Sequence, residues 1–146
     1  MTKEQKGQES NSEVYLDSNF FIYASVNNEL VGDNARAIIE KISNGILAGF
    51  TATLTIDEVL WEIQNNATRD KAAESASLIM NIPNLELINV NRDIIKKAIE
   101  IYKEDCLDPR DAIHLAAMKS KNLKVVFSTD SDFDKIKGIQ RIDFTK

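Results

Sequence analysis

The chain has 146 residues and a formal net charge of −5, which fits one compact domain. Hydrophobic residues make up 43% and charged residues 28%, and this ordinary globular mix excludes wholesale disorder. The acidic balance argues against a protein that grips nucleic acid through a broad basic surface. Cys106 is the single cysteine and His114 the single histidine, which excludes internal disulfides, cysteine-based zinc sites and paired-histidine metal sites.

The chain contains no apolar run that approaches the length of a membrane span, and its start has no signal-peptide core. We therefore expect a cytoplasmic protein with no membrane association. Residues 1–12 contain no apolar residue after Met1, so they cannot bury enough surface to order themselves. The expected organisation is a disordered tail at 1–12, followed by a single domain at 13–146.

Hydrophobic periodicity predicts strands that alternate with helices along the whole domain. In chain order these are a strand at 14–16, a short helix at 20–24, a helix carrying Ala35, Ile38, Ile39, Ile42 and Ile46, a strand at 49–53, a helix carrying Ile56, Val59, Leu60 and Ile63, a helix from about Arg69 to before Pro83, a strand at 85–90, a helix carrying Ile94, Ile95, Ala98, Ile99 and Tyr102, a buried helix opened by Asp108 and Pro109, and strands at 124–127 and 139–144. This order predicts a three-layer α/β/α sandwich around a mostly parallel central sheet of about five strands.

Acidic residues fall where predicted strands end and helices begin, which is where open α/β sheets gather their chemistry. They are Asp17, Glu58, Asp111 and Asp130. Glu58 points away from the apolar stripe of its helix, and Asp111 shares a helical face with His114. Carboxylates that face one another repel unless a cation lies among them. Oxygen-only ligation of that kind suits Mg²⁺ or Mn²⁺.

Each of these acids also has a purely structural explanation. Asp17 can cap the helix that follows it, and Asp130 can belong to a polar turn at 128–131. Thr55 and Glu58 match a capping box, a hydroxyl at the cap with a carboxylate three residues on. Asp108 and Asp111 form a similar pair.

Four short strings in this chain resemble the motifs of PIN domains, the nuclease domains of VapC-type toxins and of RNA-processing factors. They are Tyr15-Leu16-Asp17-Ser18-Asn19, Thr55-Ile56-Asp57-Glu58-Val59, Pro109-Arg110-Asp111-Ala112-Ile113-His114-Leu115-Ala116 and Ser128-Thr129-Asp130-Ser131-Asp132-Phe133. The resemblance runs from about Val14 to Ile142. Each motif alone is short, but all four in order, with strands and helices in the right places, make a fairly specific signal.

The resemblance implies an acidic quartet that holds one or two divalent ions, Mg²⁺ or Mn²⁺. Its members would be Asp17, Glu58, Asp111 and Asp130. Asn19 and Thr129 match polar positions that support the site by hydrogen bonding, and Asp132 matches a less constant acidic position. The implied chemistry is metal-dependent hydrolysis of phosphodiester bonds by an endoribonuclease acting on single-stranded RNA.

The same resemblance implies an RNA substrate, a homodimer and, if the chain is the toxin of a toxin–antitoxin pair, an antitoxin partner. A PIN-like module that binds RNA or protein with little turnover is the alternative, although the presence of all four acids favours catalysis. Arg110 lies beside Asp111 and is a candidate phosphate contact. The RNA target, the number of ions and the existence of an antitoxin stay open.

The remaining distinctive side chains have structural interpretations. A lone histidine on an apolar helical face is more often a satisfied core residue than a ligand, and we expect this of His114. Cys106 is expected to be a buried or half-buried thiol without a role. Trp61, with the aromatic residues at 20–23, is expected in the core or at a dimer contact.

Overall fold

The structure is a computed structural model that describes residues 12–146. The expected disordered tail lies outside these residues, except that Ser12, its last residue, begins the first strand.

The described part of the chain, residues 12–146, forms five strands, six α-helices and one short 3-10 helix. The strands are β1 Ser12–Leu16, β2 Leu47–Ala52, β3 Leu85–Ile88, β4 Val125–Phe127 and β5 Gln140–Ile142. The helices are α1 Ser18–Val26, α2 Leu30–Ser43, α3 Leu54–Asn66, α4 Arg69–Met80, α5 Arg92–Asp105 and α6 Pro109–Ser120, with the 3-10 helix at Ser131–Lys135. The predicted alternation of strands and helices is confirmed.

The strands form one sheet in the order β3-β2-β1-β4-β5, and every described pair is parallel. From β1 the chain builds outward through β2 and β3, and then returns to add β4 on the other side of β1. The carboxyl ends of β1 and β4 are therefore neighbours at a topological switch point, the usual place for a site in an open parallel sheet. The predicted α/β/α fold with its mostly parallel sheet is confirmed.

Two apolar cores lie on the two faces of the sheet, because successive side chains of a strand point to opposite faces. Val14 and Leu16 belong to the core that α1 to α4 cover, whereas Tyr15 belongs to the core that α5 and α6 cover. Helix α6 is buried on most sides, as its composition predicts. This packing places a polar atom of β1, the Tyr15 hydroxyl, against α6.

Three side chains differ from their predicted settings. Ile46 lies beyond the end of α2, because the chain leaves the helix through Gly45 in a left-handed conformation. Cys106 is exposed, since it ends α5 as a left-handed residue at the surface. Trp61 is also exposed, on the outer side of α3, so the prediction that it lies in the core is wrong. Its place at a dimer contact stays a prediction. Phe20 and Phe21 are buried as expected.

Within residues 12–146, no helix is both long enough and apolar enough to cross a bilayer.

Candidate active site

The first acid of the site, Asp17, is held rigidly at the end of the central strand. Its backbone N–H donates to the Phe127 carbonyl of β4, and the residue is only 3% exposed. Oδ1 accepts from the Ser18 N–H at 2.8 Å, so the predicted cap on α1 is present. Oδ2 accepts from Asn19 Nδ2 at 3.2 Å and from Ser128 Oγ at 2.7 Å. The cap and the proposed site therefore share one carboxylate.

Ser128 joins the acids that follow β1 and β4. Its side chain is fully buried, and its Oγ donates to Asp17 while accepting from the Asp130 N–H at 3.0 Å. Asn19 Oδ1 in turn accepts from the Thr129 N–H at 3.3 Å. Thr129 therefore contacts Asn19 through its backbone N–H, while the neighbouring Ser128 supplies the hydroxyl that contacts Asp17.

Glu58 reaches the same place from α3. Its Oε1 lies 2.5 Å from His114 Nε2, and that same nitrogen lies 3.5 Å from Asp17 Oδ1. These three side chains each offer a ligand atom within 4.8 Å of the others.

Glu58 points away from the apolar stripe of its helix, as predicted, but the predicted capping box between Thr55 and Glu58 is wrong. Helix α3 begins at Leu54, and the Thr55 hydroxyl shares a hydrogen bond with Thr51 instead.

Asp111 and Asp130 form the more open side of the site. Burial raises the pKa of Asp111 to about 8, together with the hydrogen bond and charge of Asp130 and the charge of Asp17. Asp108 is the N-cap residue of α6, but its side chain makes no capping bond, so the second capping pair is also wrong. Its carboxylate instead clusters with those of Asp111 and Asp132, with ligand atoms within 4.8 Å of one another.

Asp132 and Arg110 lie at the edge of this side. The Asp132 N–H donates to Asp130 Oδ1 at 2.9 Å, and its carboxylate pairs with Lys135 at 3.0 Å. Arg110 is exposed in the first turn of α6, next to Asp111. These positions leave the supporting role of Asp132 and the phosphate contact of Arg110 as predictions.

His114 is the side chain whose part in the site was missed. It is fully buried and satisfied, as expected of a core histidine, but its partners are Glu58 and the hydroxyl of Tyr15. Burial lowers the pKa of His114, but the hydrogen bond to Glu58 and the charges of Asp17 and Glu58 outweigh it, so the pKa is raised. Burial and the same two carboxylates raise the pKa of Tyr15, which keeps its phenol neutral. The spacing of three residues between Asp111 and His114 was the signal that pointed to this face.

The donor set fits a hard divalent cation. Within residues 12–146, no lysine or arginine lies within 4.0 Å of the carboxylates of Asp17, Glu58, Asp111 or Asp130. At Asp111, burial and the neighbouring Asp130 and Asp17 raise the pKa, and the nearby His114 only partly offsets them. A cation with oxygen ligands relieves this repulsion, and Mg²⁺ and Mn²⁺ prefer carboxylates.

Comparison with known proteins gives a consistent picture. The family profile described as PIN domain matches residues 14–139. Ribonuclease VapC2 of Methanocaldococcus jannaschii is 26% identical over 145 residues, which cover 90% of this chain and 94% of that protein.

Solved structures of low sequence identity share the fold. VapC20 of Mycobacterium tuberculosis, described as a toxin that cleaves the sarcin-ricin loop, has a TM-score of 0.68 at 15% identity, over 83% of this chain and 92% of that one. The DNA-bound VapBC complex of Salmonella typhimurium has a TM-score of 0.69 at 18% identity, over 91% of this chain and 98% of that one.

Proposed function

The chain belongs to the PIN domain family, and from that premise we propose that it is a divalent-metal-dependent endoribonuclease that hydrolyses phosphodiester bonds in single-stranded RNA. The related Ribonuclease VapC2 supports this assignment. The proposed nuclease domain spans residues 13–146.

One observation carries the proposal. Acids from four separate parts of the chain lie at the switch point of the sheet, and no described lysine or arginine neutralises them. We assign metal binding and catalysis to Asp17, Glu58, Asp111 and Asp130. His114 contacts Asp17 and Glu58, but among the described residues Asp111 and Asp130 have no basic side chain within 4.0 Å. An arrangement that serves only stability would pair these two carboxylates as well, because unpaired carboxylates are costly to bury.

The remaining roles follow from the contacts of the site. When bound there, a divalent ion would lower the pKa of a water molecule to make a nucleophile and would offset charge on the phosphate. Asn19 and Ser128 hold the Asp17 carboxylate by hydrogen bonds to Oδ2, and the backbone of Thr129 holds Asn19. We assign a supporting role to Asp132 through its bond to Asp130, and a phosphate contact to the exposed Arg110.

We propose Mg²⁺ or Mn²⁺ as the ion, because both favour carboxylate oxygens and keep water ligands that a phosphate can replace.

We further propose that the protein is the toxin of a toxin–antitoxin pair that acts on RNA in the cytoplasm. Its structural neighbours include VapBC complexes, which supports an antitoxin protein as partner.

A homodimer is also part of the proposal. An apolar groove between α5 and α6 supports it, lined on the outside by Ile95, Ile99, Tyr102 and Pro109. Exposed apolar grooves of this kind are common at protein contacts.

The test is cleavage of end-labelled single-stranded RNA by purified protein with Mg²⁺, Mn²⁺ or excess EDTA. We expect internal cleavage with either ion, none in EDTA, and cleavage lowered about a hundredfold or more by Asp17→Asn with either ion. Stabilisation of the fold by Mn²⁺ without cleavage of any RNA tested would favour a binding module instead. Equal cleavage by the wild type and by Asp17→Asn would contradict the proposed site.

A further inference from the structure

A buried chain of hydrogen bonds leads from the core to Glu58. The Tyr15 hydroxyl lies 2.6 Å from His114 Nδ1, and His114 Nε2 lies 2.5 Å from Glu58 Oε1. Both Tyr15 and His114 are fully buried, so water does not compete for these bonds. The two rings meet edge to face, with centroids 5.7 Å apart, which fixes the orientation of the imidazole.

The partners of His114, Glu58 and Tyr15, determine which imidazole nitrogen carries a proton. A carboxylate only accepts hydrogen bonds, so the imidazole nitrogen beside Glu58 must carry a proton. In neutral His114 this is the Nε2–H tautomer, and the Tyr15 hydroxyl then donates to Nδ1. In protonated His114 both nitrogens carry protons, and Nδ1 donates to the Tyr15 oxygen. Nε2–H donates to Glu58 in either state, so the arrangement does not depend on a titration.

This fixed donor has a consequence for the ion. A nitrogen that carries a proton cannot ligate a metal, although Nε2 lies near both Asp17 and Glu58. The other oxygen of Glu58, Oε2, makes no hydrogen bond with any residue in the described part of the chain. The bond to Nε2 therefore occupies one carboxylate oxygen and leaves the second for other partners.

We propose that His114 is a positioning residue that orients Glu58 for the metal ion, and that Tyr15 orients His114 and selects its tautomer. This inference rests on the proposed function. Groups that hydrogen-bond to metal ligands fix ligand orientation, and their loss commonly weakens metal binding ten- to a hundredfold. Glu58 would then be held by hydrogen bonds that come from the core of the molecule rather than from the solvent side.

The first readout needs no metal. His114 is the only histidine in the sequence, so two-dimensional ¹H–¹⁵N spectra of tag-free protein in EDTA report its imidazole without ambiguity. We expect a protonated Nε2 in the wild type. A neutral imidazole with its proton on Nδ1 would overturn the proposal.

The second readout is Mn²⁺ affinity, measured by calorimetry or by EPR titration in the absence of RNA. We compare Tyr15→Phe, which removes only the hydroxyl, with His114→Leu and His114→Gln. His114→Leu should weaken Mn²⁺ binding at least tenfold and Tyr15→Phe about threefold. His114→Gln keeps a side-chain N–H donor and should recover most of the affinity. Mn²⁺ affinities of Tyr15→Phe and His114→Leu within twofold of the wild type would overturn the proposal.

Val126→Ala is the matched control for core disruption. Val126 is buried and lies opposite Tyr15 in the register of β1 and β4. The Val126→Ala variant should lower the midpoint of thermal unfolding in EDTA while leaving Mn²⁺ affinity within twofold of the wild type. If His114→Leu fails to fold, Tyr15→Phe still decides the question, because its ring keeps the core filled.

Kinetics and spectroscopy separate positioning from ligation. Tyr15→Phe should raise the Mn²⁺ concentration for half-maximal cleavage, while kcat at saturating Mn²⁺ stays close to that of the wild type. Pulsed EPR of bound Mn²⁺ should show no directly coordinated nitrogen, and such a nitrogen would make His114 a ligand and overturn the proposal.

Mn²⁺ binding and RNA cleavage by the wild type distinguish failure of this inference from failure of the proposed function. Wild-type protein that binds Mn²⁺ but cleaves no RNA contradicts the nuclease assignment, while the affinities still test His114. Wild-type protein that binds no Mn²⁺ overturns both.

Discussion

Ser128 Oγ lies 2.7 Å from Asp17 Oδ2 and ties the ends of β1 and β4 together at the switch point of the sheet. The same oxygen accepts the Asp130 N–H, so one hydroxyl orients parts of two proposed metal-binding residues. Ser128 itself is fully buried, so its hydroxyl makes these bonds away from solvent.

Ser128→Ala should weaken both the fold and the metal site. Loss of the hydroxyl leaves the Asp130 N–H without this partner, which costs about 1–3 kcal/mol of unfolding free energy. Mn²⁺ affinity should fall about tenfold as Asp17 becomes less well oriented. Urea unfolding in EDTA and calorimetry measure the two effects. Ser131→Ala, at an exposed position in the adjoining 3-10 helix, is the control and should change neither.

Asp17→Asn should separate activity from stability. Cleavage of RNA should fall about a hundredfold or more, because the substitution removes a charge that faces the reaction. The free energy of unfolding in EDTA should change by less than about 1 kcal/mol, since relief of repulsion with Glu58 and Asp111 offsets weaker hydrogen bonds. Cleavage assays and urea unfolding test this prediction. A variant that keeps its cleavage rate, or that loses the fold, would count against it.

The metal-free protein should lose stability as the pH rises from about 4 to about 8. Asp111, facing Asp130, Asp17 and His114, has a folded-state pKa of about 8 against an ordinary value of 3.8. Between these values the folded state binds more protons than the unfolded state, so unfolding free energy falls with pH. Asp111 should contribute less than about 1.4 kcal/mol per pH unit to this slope, because it is partly solvated. The raised pKa of His114 adds to the slope above about pH 6.5.

Urea unfolding in EDTA at intervals across this range measures the slope. Asp111→Asn should flatten it, and saturating Mn²⁺ should stabilise the wild type most at the upper end. An unchanged slope in Asp111→Asn would contradict the assignment of this titration.

Arg110→Ala should weaken RNA binding without affecting the metal. The exposed guanidinium next to Asp111 can contact a phosphate, so its removal should raise KM severalfold at saturating Mn²⁺. Mn²⁺ affinity measured without RNA should stay unchanged. Arg92→Ala, an exposed arginine at the start of α5, is the matched control and should leave KM as it is.

Ile99→Glu should dissociate the proposed homodimer. Ile99 lines the groove between α5 and α6 and is 63% exposed, and a carboxylate buried at a contact between two copies is unfavourable. Leu78 on α4 is also 63% exposed but belongs to the other side of the sheet, so Leu78→Glu is a matched control. Light scattering after gel filtration should show a monomer only for Ile99→Glu. A monomeric wild type would contradict the homodimer itself.

The positions of the acids could be predicted from sequence because strand ends and helix starts are local features. Asp17 and Asp130 each follow a short apolar run, and Glu58 lies off the apolar stripe of its helix, so each reaches the carboxyl edge of the sheet. The face of the strand or helix on which such a side chain lies follows from the period of that element, which can be read from the sequence.

The bonds between distant residues could not be predicted in the same way. Tyr15 and His114 are separated by 99 positions, and their contact depends on which helix covers which face of β1. The predicted capping box at Thr55 failed for a local reason. The spacing of Thr55 and Glu58 does not show that α3 already begins at Leu54, which places Thr55 inside the helix. The motif resemblance points to Thr129, whereas in the structure the hydroxyl that contacts Asp17 belongs to the preceding Ser128. The motif alone does not show how the side chains of this turn are oriented.

The exposed thiol of Cys106, at the bend between α5 and α6, is a site for attaching a spectroscopic label. Because the sequence has no second cysteine, a nitroxide or a dye attached there needs no background substitutions. In a symmetric pair of subunits, the distance between two such labels can be read by double electron–electron resonance. Paramagnetic broadening of a single label by Mn²⁺ would locate the ion independently of any assay of RNA cleavage.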